Sequence, residues 1–257
     1  MNHQSNRLIP LIAAIALTSS LALADTELPS ARSLVDANIE ASGGLDSLQR
    51  QLDSTTTGRF VMPAAGMEGA MTMYSRTPTE RSVVIELAGI GTIQSGYKDR
   101  QAWSVDPFMG PRLVTGTELD MQIEANEPGA QIRSDEFVES MQTVGLSEYN
   151  GEGCFKVEVV WKSGRNSTDC YSIETGLLIA QEGTVESPMG EMQTVTIFGD
   201  HQTFELGDVD VVLPTTTSVT TMGQEQQLII DSIELGAPDE DKFALPPAIA
   251  TLMESDQ

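Results

Sequence analysis

The chain has 257 residues and carries 38 Asp and Glu against 14 Lys and Arg, a formal net charge of −24. A surface this acidic repels phosphate backbones and anionic headgroups over long range, which excludes nucleic acid as a partner and serves solubility. The length suits one large β domain or two small ones.

Residues 1–24 carry one basic residue, Arg7, no acidic residue, and an apolar run from Leu8 to Leu23. This pattern predicts a signal peptide, with Ala22-Leu23-Ala24 as the small-x-small cleavage site and Asp25 as the mature start. The competing reading, an uncleaved anchor, needs about 20 consecutive apolar residues, more than this run supplies. No later apolar run is long enough to span a bilayer, and no cysteine follows the cut to carry a lipid anchor. The expectation is a protein exported to the periplasm, with no transmembrane segment in its mature part.

Residues 29–52 are helical in pattern: Ser30 can cap a first turn, and Leu34, Val35, Asn38, Ile39, Leu45, Leu48 and Leu52 recur at three to four. Gly43-Gly44 divides them into two short helices. From Ser54 the text alternates between β-formers and Gly, Pro, Asn or Asp turns. That predicts a first sheet segment over 54–105, with strands near 55–62, 67–75, 80–87, 91–98 and 101–105. Leu119, Ile123, Phe137, Val138 and Met141 give 118–142 a helix-like pattern around Pro128-Gly129, read as a helical insertion. A second sheet segment is expected over 145–235, with 191–199 and 202–206 as separate strands. In the 236–257 tail, Pro246-Pro247 argues against a long terminal helix. The two segments read as one curved antiparallel sheet in an α+β, mainly antiparallel β fold.

Cys154 and Cys170 are the two cysteines, and in an oxidising compartment a disulfide is their default state. A simple hairpin turning at 163–166 would place Cys170 nearer Glu158 or Val159 than Cys154, so the bond requires a bulge or a shifted register. After residue 24 the one histidine is His201, read as a turn residue. This scarcity removes Ser-His-Asp and His/Cys zinc schemes, and no Gly-x-Ser-x-Gly elbow occurs. Asp208-Val209-Asp210 and Asp239-Glu240-Asp241 lack calcium-loop spacing and read as solvated loops. No catalytic residue, metal or cofactor is expected, and the chain is not read as an enzyme.

Methionine is the informative excess. Met67, Met71 and Met73 share a strand face with Gly69, and Phe60 and Met62 share a face of the strand before. Flexible thioethers suit a surface that must fit variable apolar shapes. Their ordinary reading is core; their functional reading is the lining of a cavity for an acyl chain, with Phe60, Met62, Met67, Met71, Met73 and Trp103 as ligand-binding residues.

Several phrases occur in a familiar order: Glu40-Ala41-Ser42-Gly43-Gly44-Leu45, Gly96-Tyr97-Lys98-Asp99-Arg100-Gln101-Ala102-Trp103, Glu174-Thr175-Gly176-Leu177-Leu178, Ser187-Pro188-Met189-Gly190-Glu191, Leu213-Pro214 with Gly223-Gln224-Glu225, and Phe243-Ala244-Leu245-Pro246. Together they resemble the LolA/LolB-like superfamily, the outer-membrane lipoprotein-sorting proteins and their relatives, over nearly the whole chain after residue 24. The resemblance implies an incomplete barrel of about eleven antiparallel strands, curved around helices that cover a hydrophobic cavity. It also implies a role as periplasmic carrier of a lipid or a lipoprotein acyl chain. The chain departs from the sorting carrier in its length and helical insertion, and no motif matches the carrier's lid-locking residues. The alternative is a non-enzymatic module that binds or scaffolds another envelope protein through its sheet edge or acidic face.

Overall fold

The computed structural model describes residues 27–50, 53–76, 80–187 and 190–255; the expected signal peptide lies outside them. Two helices come first, α1 (Ala31–Ala41) and α2 (Leu45–Arg50). Ser30 caps α1: its Oγ accepts a hydrogen bond from the Ser33 N–H at 3.1 Å, satisfying one of the amide donors that a helix start leaves open. Leu34 and Val35 then bury one face of α1 in a cluster with Trp161 and Tyr171. The joint between the helices depends on Gly43, at φ 104°, where a Cβ would stand 2.2 Å from the Asp210 carbonyl oxygen. Only glycine allows that approach. It brings the Ser42 carbonyl within 3.1 Å of the Val212 N–H, which donates to it and fastens the joint to the sheet.

Six strands follow: β1 (Ser54–Met62), β2 (Met67–Arg76), β3 (Glu80–Leu87), β4 (Gly91–Lys98), β5 (Gln101–Asp106) and β6 (Gly110–Val114). Helices α3 (Gly116–Asn126) and α4 (Pro128–Gln131) lead to β7 (Val138–Tyr149), β8 (Glu152–Trp161), β9 (Asn166–Ser172), β10 (Leu178–Ser187), β11 (Gly190–Leu206), β12 (Val209–Thr221) and β13 (Gln224–Leu235). All thirteen form one antiparallel sheet in the order β6-β5-β4-β3-β2-β1-β13-β12-β11-β10-β9-β8-β7. Each half is a meander, and the β1–β13 pairing joins the halves. The sheet is not closed; β6 and β7, neighbours in sequence, are its two edges. A helix the length of α3 spans about 16 Å. It nevertheless lies against both β5 and β10, eight strand positions apart, or roughly 38 Å across a flat sheet. The sheet is therefore curled around α3.

The sheet has thirteen strands where the resemblance implied about eleven, and the strands read from the residues differ from the observed ones for local reasons. No strand is expected over 110–114, which holds Pro111; β6 is an edge strand, where a missing amide donor costs no ladder bond. The expected helical insertion ends early, because 138–142 belongs to β7. Bulges at Val138/Ser140 and Thr143/Gly145 break the two-residue alternation there and mimic helical spacing. Residues 191–199 and 202–206 are one strand, so His201 is not a turn residue: it pairs with Pro214. The ladder carries through Asp200, at φ 51°, where the Thr215 hydroxyl donates to its carbonyl at 2.7 Å and the Thr216 hydroxyl to its carboxylate at 2.9 Å.

The tail packs elsewhere than on α3. Arg76 donates to the Pro238 carbonyl at 2.7 Å and lies over the Phe243 ring; by alternation along β2 it is on the face opposite Met73 and Ser75. Helix α5 (Pro247–Ser255), with Pro247 in its first position, lies against β6.

Cys154 and Cys170 form a disulfide between β8 and β9, with Cα atoms 5.5 Å apart. The register is shifted by three residues from that of a turn at 163–166: Cys170 pairs with Lys156, and Cys154 with Ser172. This makes the cysteines diagonal neighbours on one face, buried with Ile179 and Ala180. The bond closes a loop with a sequence separation of 16, so replacing both cysteines with Ser is expected to lower the unfolding free energy by about 3 kcal/mol. Urea denaturation of oxidised wild type and double variant measures it, and equal midpoints would refute it.

Candidate functional site

The β-register brings the predicted methionines together. Across β1 and β2, Ser54 is opposite Ser75, Thr56 opposite Met73, Gly58 opposite Met71, Phe60 opposite Gly69, and Met62 opposite Met67. Because both strands alternate, all ten residues share one face. Five of the six predicted ligand-binding residues, Phe60, Met62, Met67, Met71 and Met73, are therefore neighbours. They differ in surroundings: Phe60 and Met71 are buried in a packed cluster with Ile85 and Leu87, against which Met62 also packs, whereas Met73 lines a void. Met67 is half-buried at the start of β2.

Trp103 is on the other face. It pairs with Gly96, while its neighbour Ala102 pairs with Tyr97, and Tyr97, Ala102 and Val114 pack against Leu119 and Ile123 of α3. A Cβ on Gly96 would stand 2.3 Å from the Trp103 ring, so the glycine exists to let the indole lie across the strand. The Gly96-to-Trp103 phrase is thus a hairpin whose turn residues, Asp99 and Arg100, both have positive φ, the two-residue turn that matches strand twist.

The void is a cavity of about 210 Å³ between the sheet and the helices. Its walls are Leu48 of α2, Met73 of β2, Leu213 and Pro214 of β12, and Ile230 and Ile233 of β13, with Ser54, Thr56, Ser75, Arg81, Asn126 and Gln131 among its polar lining. Periodicity marked the methionine strand but not the β12 and β13 wall, since those residues meet β1 only through the pairing of the chain's first strand with its last. Arg81 and Asn126 carried no sequence signal that would have singled them out.

The α3–α4 segment is pinned over this cavity from both halves of the sheet. On one side Arg112 of β6 makes a bidentate pair with Glu118, at 2.7 and 2.6 Å, and the Tyr97 hydroxyl donates to Glu127 at 3.2 Å. Burial and the Glu127 carboxylate push that phenol up to about 12. On the other side Arg165 donates to the Glu124 carboxylate through Nε at 2.9 Å. Arg133, just past α4, pairs with Asp169 of β9 at 2.8 Å. Asp169 is fully buried and also accepts from Gln181 at 2.7 Å and the Tyr171 hydroxyl at 3.1 Å. Both guanidinium groups lie over the Trp161 ring, each 5.1 Å from its centroid. Burial beside Asp169 raises the Tyr171 phenol above its ordinary value.

Other chemistry is sparse. Among the described residues no group of three His, Cys, Asp or Glu could hold a metal ion. His201 is half-buried, and desolvation lowers its imidazole from the ordinary value. No helix among the described residues is long and apolar enough to cross a membrane.

No family model and no curated protein sequence matches the chain. Solved structures do. A LolA superfamily protein from Nitrosomonas europaea superposes with a TM-score of 0.51 at 15% identity, over 85% of this chain and 99% of that one. A DUF1329 family protein from Desulfovibrio piger gives 0.55 at 12% identity, over 85% and 98%. A putative outer membrane lipoprotein-sorting protein domain from Vibrio parahaemolyticus gives 0.52 at 10% identity, over 81% and 97%. The chain has a LolA-like fold.

Asp169→Ala leaves the Arg133 guanidinium buried without its carboxylate, and is expected to cost roughly 3–5 kcal/mol of stability. Asp36→Ala, which removes an exposed pair with Arg32, is expected to change it by about 0.5 kcal/mol or less. Urea denaturation of the two variants side by side decides the matter; similar midpoints would show that the buried pair does not hold the α3–α4 segment.

Proposed function

We propose that this chain is a periplasmic, non-enzymatic carrier of a lipophilic ligand, a lipid or the acyl chain of a lipoprotein, held in the cavity between the curled sheet and α2–α4. The observation that carries this reading is the cavity wall: Leu48, Met73, Leu213, Ile230 and Ile233 meet around an unfilled volume of about 210 Å³, and an acyl chain entering it gains about 0.8 kcal/mol per buried methylene. The export pattern of residues 1–24, the acidic surface and the LolA-like fold support the same role. The packed Phe60–Met71 cluster continues the apolar strip and extends the site when it parts around a longer chain. An N-terminal signal peptide and a periplasmic location belong to this proposal.

A second reading is a docking module for another envelope protein. It is favoured by exposed apolar residues at the β3–β4 and β5–β6 turns, where Ile90, Phe108 and Met109 are 40%, 66% and 60% exposed.

Native mass spectrometry of protein purified from a bacterial periplasm without detergent separates the two readings. A co-purified lipid or acylated peptide is the expected result, and Ile230→Trp, which fills the cavity, is expected to reduce its occupancy at least tenfold with thermal stability retained. An apo mass that persists after incubation with phospholipid vesicles rejects the carrier reading in favour of the docking module.

A further inference from the structure

Arg81 sits where an apolar cavity has least use for a charge. Register places it on β3 opposite Ser75 of β2 and Tyr97 of β4, both buried. Its side chain lines the main cavity and a smaller adjoining one of about 120 Å³ bounded by Tyr97 and Arg112. Every other described Lys or Arg side chain has a partner. Ten are in ion pairs, and Lys162 donates to the Asp135 carbonyl. Among the described residues Arg81 alone has neither an ion pair nor a hydrogen bond, in a chain of 38 acidic residues. Even Glu80, next in sequence and also at the cavity, is engaged by Arg76 and Lys98. The side chain is half-buried, and its five donors take no protein acceptor among the described residues, which leaves them to water or to an anion in the cavity.

The surroundings are graded to match. Reading the shared face of β3, β2, β1 and β13 in successive rows, Arg81, Ser75, Ser54 and Leu235 form the first. Val83, Met73, Thr56 and Ile233 form the second, Ile85, Met71 and Ile230 the third, and Leu87, Phe60 and Leu228 the fourth. Each row lies about 7 Å further along the strands. On β3, β2 and β1 the first row is cationic and hydroxylated, and beyond it Thr56 is the one polar side chain among aliphatic, thioether and aromatic ones. Burial lowers the Arg81 guanidinium from its ordinary value, the direction expected of a cation whose counter-ion is missing.

We infer that the cavity selects an acidic amphiphile, with Arg81 binding the carboxylate or phosphate oxygens of its headgroup and the rows from Met73 onward taking its chain. The inference rests on the carrier reading above and names its ligand class. Guanidinium geometry suits either oxyanion, because two parallel N–H groups can donate to two oxygens.

The test is displacement of N-phenylnaphthylamine, a neutral apolar fluorophore, by dodecanoic acid, dodecyl phosphate and dodecanol, with wild type, Arg81→Met and Arg81→Lys. In wild type the two acids are expected to compete at least tenfold more strongly than the alcohol; the stronger of the two distinguishes a fatty acid from a phosphate headgroup. Arg81→Met removes that preference and leaves dodecanol unchanged, whereas Arg81→Lys keeps part of it. Equal competition by all three in wild type overturns the inference and leaves the carrier reading standing, as does an Arg81→Met variant that weakens acid and alcohol alike. Failure of the fluorophore and of every competitor to bind overturns both.

Discussion

The Trp161 ring, with Arg133 and Arg165 over it and a buried carboxylate holding each guanidinium, is the contact on which the rest of the structure depends. A single sheet of thirteen strands has no intrinsic reason to stop curling at one radius. The α3–α4 segment sets that radius because it crosses between the two edge strands and is held at both ends. Buried ion pairs contribute little net stability, since desolvating the charges offsets their attraction, but a mispaired arrangement is strongly penalised. That asymmetry suits a part whose task is to fix position.

The cavity follows from this constraint. With α3 and α4 held above β1–β3 and β12–β13, the aliphatic residues below them cannot all find partners, and a void remains beside Met73 and Ile230. Further along the same face, Phe60, Met71, Ile85 and Leu87 pack against one another and leave no such gap. The site is therefore a local failure of packing, placed where helices from one part of the chain meet strands from another. Interiors otherwise pack like organic crystals.

The opposite face carries the covalent and aromatic reinforcement. The disulfide joins β8 to β9 there, the Trp103 indole covers Gly96, and the tail is held by Arg76 across Phe243. Stiffening the sheet from that side leaves the cavity side free of covalent cross-links, so the cavity can change shape by side-chain movement rather than by opening the ladder. Methionine at four of the lining or adjoining positions suits such movement, because its unbranched thioether changes rotamer at little cost.

Much of this was legible in the sequence because the signals are local. Alternation gave the first five strands, Ser30 and Gly43-Gly44 gave the two opening helices, and the period of two put Met67, Met71 and Met73 on one face. Local signals failed where a local exception was present: the bulges in β7 imitated helical spacing, the edge strand that holds Pro111 went unread, and a three-residue shift of register placed the cysteines within reach of each other. What only the tertiary structure decided was which distant segments meet. The β1–β13 pairing brings Ile230 and Ile233 beside Met73, parity sends Trp103 to the far face, and Arg81 is left without a carboxylate in a chain rich in them. The physical reason is that periodicity fixes the face a side chain takes within its own element, whereas its partners are set by pairings between strands far apart in sequence.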